Sequence, residues 1–281
     1  MGQALIKGLL AQGASPRRLW AADVRSAARR EVARRFKIRV TGDNRELARH
    51  ARILVLAVKP QQCPGVLDEL AGHLTRHHLV ISIAAGITLR WLQARLPGIP
   101  VVRVMPNLPA IVGCGFSAVA LGRHAVLRHR AAARALFGTV GEVIELPERD
   151  FNAITAVSGS GPAYVFFLVQ AWERAARSLG LPPAAASSAI RQTLRGSLRL
   201  LECSSASAGE LIGKVASKKG TTEAALKVLA RRRVSAHFIE ALRAAERRSK
   251  ALSARYLISF SGGSKLQKIS DTGRGSHVRP R

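Results

Sequence analysis

The sequence predicts an α/β chain in which a doubly wound parallel sheet is followed by an all-helical half. Three observations predict it. Short branched apolar runs alternate with amphipathic stretches from Arg18 to about Leu146, strand signals stop beyond about Pro147, and long helical segments rich in Ala and Leu fill most of the rest.

Runs 19–23, 53–58, 79–84 and 101–105 read as buried strands, because each is brief, continuous and apolar. Between them, 26–35, 60–74 and 88–95 are amphipathic and read as crossover helices. Ligands of such a sheet sit beyond the carboxyl ends of its strands. That rule singles out the loops Asp23 to Ser26, Lys59-Pro60, Ala84-Ala85-Gly86 and Pro106-Asn107.

The second half reads as helices over 163–179, 183–203, 208–216, 222–229 and 235–253. Together they carry more apolar surface than one short bundle can bury, so subunits are expected to pack helix on helix, as a homodimer or a higher homo-oligomer. From about Ala254 the periodicity is lost and Gly, Ser, Lys and Arg gather, which predicts a disordered basic tail. The expected division is therefore 1–147, 148–253 and 254–281.

Composition removes several function classes. The three cysteines, Cys63, Cys114 and Cys203, are far apart, without a CxxC pair or a histidine at ligand spacing, so neither a metal site nor a disulfide framework is expected. A reducing cytoplasm fits them best. The longest apolar run, 163–172, is interrupted by Gln170 and closed by Glu173, short of a membrane span, and the N-terminus lacks a basic-then-apolar signal pattern. No membrane partner is expected. The formal net charge of +28 comes from arginines spread along the chain, such as Arg17, Arg95, Arg177 and Arg243, without aromatic interleaving. The compact cluster Arg231-Arg232-Arg233 reads as a solvated loop, so no specific nucleic-acid partner is expected.

Two segments carry chemistry: Ser158-Gly159-Ser160-Gly161-Pro162-Ala163-Tyr164 and Ser217-Lys218-Lys219-Gly220-Thr221-Thr222. In the first, Pro162 sits just inside a helix start, with Ser160 expected as its cap. In the second, Gly220 precedes two hydroxyls that open a helix. Backbone N–H groups at such a start are unpaired and partly positive, so a carboxylate or phosphate can be held there, with Thr221 and Thr222 adding hydroxyl donors.

These segments complete an ordered set: Ala57-Val58-Lys59-Pro60, Ser82-Ile83-Ala84-Ala85-Gly86-Ile87-Thr88, Met105-Pro106-Asn107, and then the two above. From Met1 to about Ser253 the chain resembles the pyrroline-5-carboxylate reductase family, whose members make proline from its cyclic imine. The resemblance implies a Rossmann-type NAD(P)-binding domain, a helical dimerisation and substrate domain, and hydride transfer to the C=N carbon. It also implies an active site where one subunit's cofactor domain faces the helical domains of the dimer.

Carried onto this sequence, the resemblance puts the substrate carboxylate on Gly220, Thr221 and Thr222, beside Ser158. Thr222 is assigned the catalytic role of hydrogen-bonding the imine nitrogen. Gly2, Ala57, Lys59, Pro60 and Asn107 fall on the cofactor side. Arg25 and Ser26 suit a 2′-phosphate, whereas Asp23 suits a free ribose hydroxyl or caps the next helix. NADPH is the expected cofactor, with NADH left open.

The chain departs from the family in three places. A typical member starts with a strand running into G-x-G-x-x-G, but this chain starts at what would be the last two residues of that motif, Met1 and Gly2. Loss of that first strand is expected to leave its neighbours with unpaired edges. Either the true start lies upstream or the chain is a decayed copy, and the second account makes a catalytically silent helical oligomerisation module the alternative function. Lys218-Lys219 stands where the family usually has Pro-Gly or Lys-Gly, and the tail has no family counterpart.

Overall fold

All four runs expected to be strands are strands in the computed structural model, which describes residues 1–258. They are β1 (Trp20–Ala22), β3 (Ile53–Leu56), β4 (Leu79–Ser82) and β5 (Val101–Pro106). Three further strands were not legible: β2 (Arg39–Thr41), β6 (Gly115–Leu121) and β7 (Gly141–Glu145). β2 is three residues long and begins on an arginine, while β6 is built largely from small residues, so neither stands out as a branched run.

β3, β4 and β5 pair in parallel, as do β6 and β7, but β5 and β6 are antiparallel. The parallel sheet expected from the sequence is corrected at this one pair. Only residues 107–114 join β5 to β6, and a parallel return needs a crossover of a dozen residues or more.

The sheet is in two pieces, β1–β2 and β3–β7. Among the described residues no pairing joins β1 to β3, and the edges there have no strand partner, as expected. Helix α1 (Gly2–Ala11) lies across the break. Its Ile6 and Leu10 pack with Val32, Phe36 and Ile38 on one side, while Met1 and Leu5 pack with Ile81, Val102 and Val104 on the other.

The remaining helices of this half are α2 (Ser26–Phe36), α3 (Asn44–His50), α4 (Cys63–Leu70), α5 (Leu89–Arg95) and α6 (Leu127–Gly138). Side chains alternate across β4 and β5. Val80 and Val101 enter a core with Leu54, Leu56, Trp91, Leu92 and Phe151, whereas Ile81, Val102 and Val104 enter one with Phe137. Full burial of one such side chain contributes roughly 1.5–3 kcal/mol.

The second half is helical throughout: α7 (Phe151–Ile154), α8 (Gly161–Ser178), α9 (Pro183–Cys203), α10 (Ala208–Val215), α11 (Thr221–Arg231) and α12 (Val234–Ile258). Two expectations are corrected here. Ser160 does not cap α8 with its side chain, because its own backbone is already helical at φ −87°, ψ −18°. The chain enters α8 through a π-turn at Thr155–Gly159, and the Ser160 N–H donates to the Thr155 carbonyl at 2.8 Å. The tail expected to begin at Ala254 is helical as far as Ile258; its remainder lies outside the described residues.

One stretch, Glu148–Ser178, is long and apolar enough by length and composition to cross a membrane, which corrects the reading that no run reaches that length. The stretch is not one uniform helix, since the π-turn and the bend at Ser160 divide it. Val165, Phe166, Phe167, Leu168 and Trp172 of α8 are exposed, with Phe167 at 73%. Leu198, Leu200 and Leu201 of α9 and Phe238 and Ile239 of α12 extend this apolar surface.

Candidate functional site

The expected cofactor loops gather at the carboxyl ends of the strands. α1 begins beside the end of β3, where a Cβ on Gly2 would meet Ala57 Cβ at 3.4 Å. The Ala4 N–H donates to the Met1 carbonyl at 2.9 Å, which leaves the N–H groups of Gly2 and Gln3 as the helix-start donors at this edge. Lys59 is exposed, and its N–H donates to Gln62 Oε1 at 3.2 Å, which sets the short turn Pro60–Gln62 before α4. The turn keeps Lys59 and Pro60 on the same rim as Ala57.

After β1 the Asp23 carboxylate is fully engaged. Arg25 donates to it from its backbone N–H at 2.9 Å, from Nε at 3.2 Å and from Nη2 at 3.1 Å. These bonds, with burial opposing them, hold the Asp23 carboxyl below the usual carboxylate range and raise the Arg25 guanidinium above its own. Arg29 Nη1 donates to the carbonyls of Asp23 at 2.7 Å and Val24 at 3.0 Å, fixing the turn from beneath. Ser26 opens α2 directly after Arg25. Arg29 was missed in the sequence; its only signal was its place one helical turn after Arg25.

Asn107 is the junction between the halves. Its Nδ2 donates to Ser158 Oγ at 3.1 Å, and its Oδ1 accepts from the Phe116 N–H at 2.9 Å. Ser158 lies in the π-turn, which Tyr164 braces from α8 by donating its O–H to the Ala156 carbonyl at 3.0 Å. π-turns inside helices are frequent at functional sites. No periodicity in the sequence announces one.

Gly220 is the N-cap of α11, and Thr221 opens the helix as expected. A Cβ on Gly220 would collide with the Ser217 hydroxyl, so the tight approach of the loop favours glycine there. Lys219 takes φ +60°, a left-handed conformation that a lysine adopts at a cost. Glu223 offsets it: one carboxylate oxygen accepts from the Lys219 N–H, and the other meets Lys227 Nζ at 2.6 Å. The Lys227 ammonium, then the Lys219 N–H, lower the Glu223 pKa. No hydrogen bond within the chain joins Gly220, Thr221 or Thr222 to the Asn107–Ser158 pair among the described residues. The structure thus unites Gly2 with Ala57 and Asn107 with Ser158.

Among the described residues no group of three or more His, Cys, Asp or Glu side chains is placed to hold a metal ion.

Comparison with known proteins agrees with this layout. Residues 148–252 match the family model for pyrroline-5-carboxylate reductase dimerisation, and residues 1–86 match that of the coenzyme F420-dependent NADP oxidoreductases. The pyrroline-5-carboxylate reductase of Synechocystis is 38% identical over 253 residues, covering 90% of this chain and 94% of that protein. That of Pseudomonas aeruginosa is 39% identical over 254 residues, covering 90% and 93%. Among solved structures, the pyrroline-5-carboxylate reductase of Coxiella burnetii superposes with a TM-score of 0.83 at 35% identity, over 90% of this chain and 94% of that one. The Plasmodium falciparum pyrroline carboxylate reductase with NADP bound gives 0.83 at 27% identity, over the same shares.

Proposed function

The chain belongs to the pyrroline-5-carboxylate reductase family, and from that premise we propose that it reduces 1-pyrroline-5-carboxylate to L-proline, the last step of proline synthesis, using NADPH. The observation that carries the reading is the Asn107–Ser158 hydrogen bond, which ties the cofactor rim to the segment that opens the helical half. The silent-module alternative is not favoured, since the relatives match across 90% of the chain, cofactor half included.

Bound NADPH would supply the hydride. On this reading the start of α1, with Gly2 against Ala57, holds the pyrophosphate. Lys59, Pro60 and Asn107 line the nicotinamide end. Arg25 and Ser26 take the 2′-phosphate. Asp23 is committed to Arg25 and so is a poor partner for a ribose hydroxyl, which supports NADPH over NADH.

The substrate carboxylate rests on the N-terminus of α11 at Gly220 and Thr221, with Ser158 beside it. The Thr222 hydroxyl meets the ring nitrogen: its Oγ accepts from the N–H of the protonated imine, and its O–H can donate to the lone pair that the nitrogen gains once hydride has been added to carbon. A protonated cyclic imine is already electrophilic, so positioning dominates and no strong acid is required. The match of residues 148–252 to the dimerisation family model supports a site completed by a second copy. The exposed apolar faces of α8, α9 and α12 are what that copy covers, in a homodimer or a larger set in the cytoplasm.

The test is direct. NADPH binding followed by fluorescence, and NADPH consumption on adding pyrroline-5-carboxylate, should both be seen with the purified chain. Tight NADPH binding with no turnover of this imine would refute the substrate assignment.

A further inference from the structure

The segment leading from the sheet into the helical half is fastened to β5 at two points. At its start, Glu148 Oε1 accepts from Arg103 Nη1 at 2.8 Å and from the Leu89 N–H at 2.6 Å. Ten residues later, Ser158 Oγ accepts from Asn107 Nδ2 at 3.1 Å. Arg103 lies within β5 and Asn107 directly follows it, so a single strand sets both anchor points.

The first anchor is unusual in its burial. The Arg103 side chain is 6% exposed, and its guanidinium lies over the Phe151 ring at 4.8 Å. Burial disfavours its charged form, and Glu148 is the carboxylate that opposes this. Removing one partner of such a pair leaves an uncompensated buried charge, so the partners hold each other in register. Between the anchors Met105 lies hard against the π-turn: a Cβ added to Gly159 would stand 2.6 Å from its Cε. The turn therefore lies close on the strand.

We propose that Arg103 and Glu148 are positioning residues for the reaction, the hydrogen bonds that Glu148 Oε1 accepts from Arg103 and Leu89 setting the register at which Ser158 meets Asn107. The ion pair is not among the residues to which cofactor and substrate are assigned above. It acts through α7 and the π-turn, whose two ends it and the Asn107 bond define. A pair that only stabilised the fold would shift melting and leave the reaction parameters alone. This inference rests on the roles given above to Asn107 and Ser158.

The full-length chain is compared with Glu148→Ala and Glu148→Gln. Three readouts are taken: the NADPH dissociation constant, kcat and KM for pyrroline-5-carboxylate, and hydrogen exchange across residues 155–164. For Glu148→Ala, kcat/KM is expected to fall about 10- to 100-fold, the scale of a small misplacement of reacting groups. NADPH affinity should stay within about twofold, since all the assigned dinucleotide contacts except Asn107 lie elsewhere, while exchange across 155–164 rises. Glu148→Gln keeps an acceptor for Arg103 and Leu89 and should recover most of the loss. Unchanged kcat/KM in Glu148→Ala despite a lower Tm would overturn the proposal. So would equal losses in both variants, which would trace to charge rather than position, or loss of NADPH binding in step with turnover. A wild-type chain inert toward this imine would sink the functional reading alone, and the exchange comparison would still decide whether Glu148 governs the π-turn.

Discussion

Asn107 and Ser158, fifty-one residues apart in the chain, share a hydrogen bond of 3.1 Å that crosses from the end of a sheet strand to a π-turn at the mouth of the helical half. The same Asn107 side chain accepts from the Phe116 N–H, so one residue orders both the β5–β6 turn and the entrance to α8. The two bonds can be separated by mutation. Asn107→Ala loses both and should cost about 1–3 kcal/mol in a urea titration, mostly from the stranded Phe116 N–H. Asn107→Asp keeps the acceptor for Phe116 but not the Nδ2 donor to Ser158. It should hold most of the stability while lowering turnover. Equal stability losses in both would show that the Phe116 bond is not what Asn107 contributes.

Thr222 is expected to matter for chemistry and not for the cofactor. Thr222→Ala should reduce kcat about 10- to 100-fold, the range for a well-placed hydrogen bond to a reacting atom. The NADPH dissociation constant should be unaltered. Kinetics like those of the wild type would remove the assignment.

The Asp23–Arg25 fork makes an asymmetric prediction about cofactor choice. Arg25→Ala should weaken NADPH about tenfold, the value of one charge-assisted contact to phosphate, and barely change NADH. Asp23→Ala should leave the NADH KM as it was, because its carboxylate faces Arg25. A marked rise in the NADH KM of Asp23→Ala would instead identify a ribose contact.

Cys63 is fully buried, and burial pushes its thiol up to about 11. The neutral thiol is the form the fold favours, so at pH 8 it should resist a disulfide reagent while exposed Cys114 reacts at once. Reaction of Cys63 should follow unfolding, with mass mapping of the labelled peptide as the readout. Labelling of Cys63 at the rate of Cys114 would mean that the core under α4 opens readily.

The break between β1 and β3 leaves two strand edges without a strand partner among the described residues. An extended apolar segment of about five or six residues, joined ahead of Met1 through a glycine-containing turn, should pair with both. Thermal melting should then rise by roughly 5 °C or more. An unchanged Tm would show that α1, packed across the break, already protects those edges.

Much was legible because it is periodic or compositional. The runs at β3, β4 and β5 are continuous and branched, so a buried parallel sheet was their natural reading, and the Ala- and Leu-rich second half could only be helical. Pro106-Asn107, Lys59-Pro60 and Gly220-Thr221-Thr222 could be singled out as candidates because rigid or small residues directly follow a strand or open a helix. β6 and the π-turn were not found. A strand of small residues and a helix widened by one residue leave no mark on hydrophobic spacing, since both are imposed by neighbours distant in sequence.

By itself, then, the sequence determined the order of the branched strands and long helices, the family and the candidates for meeting an anion or a dinucleotide, since these follow from local spacing and side-chain chemistry. Only the tertiary structure decided which of them meet. It committed Asp23 to Arg25, set Glu148 on the buried Arg103 and joined Asn107 to Ser158. Those pairings depend on distances fixed by packing, where burial of a charge or a donor compels it to find a partner that the order of residues does not specify.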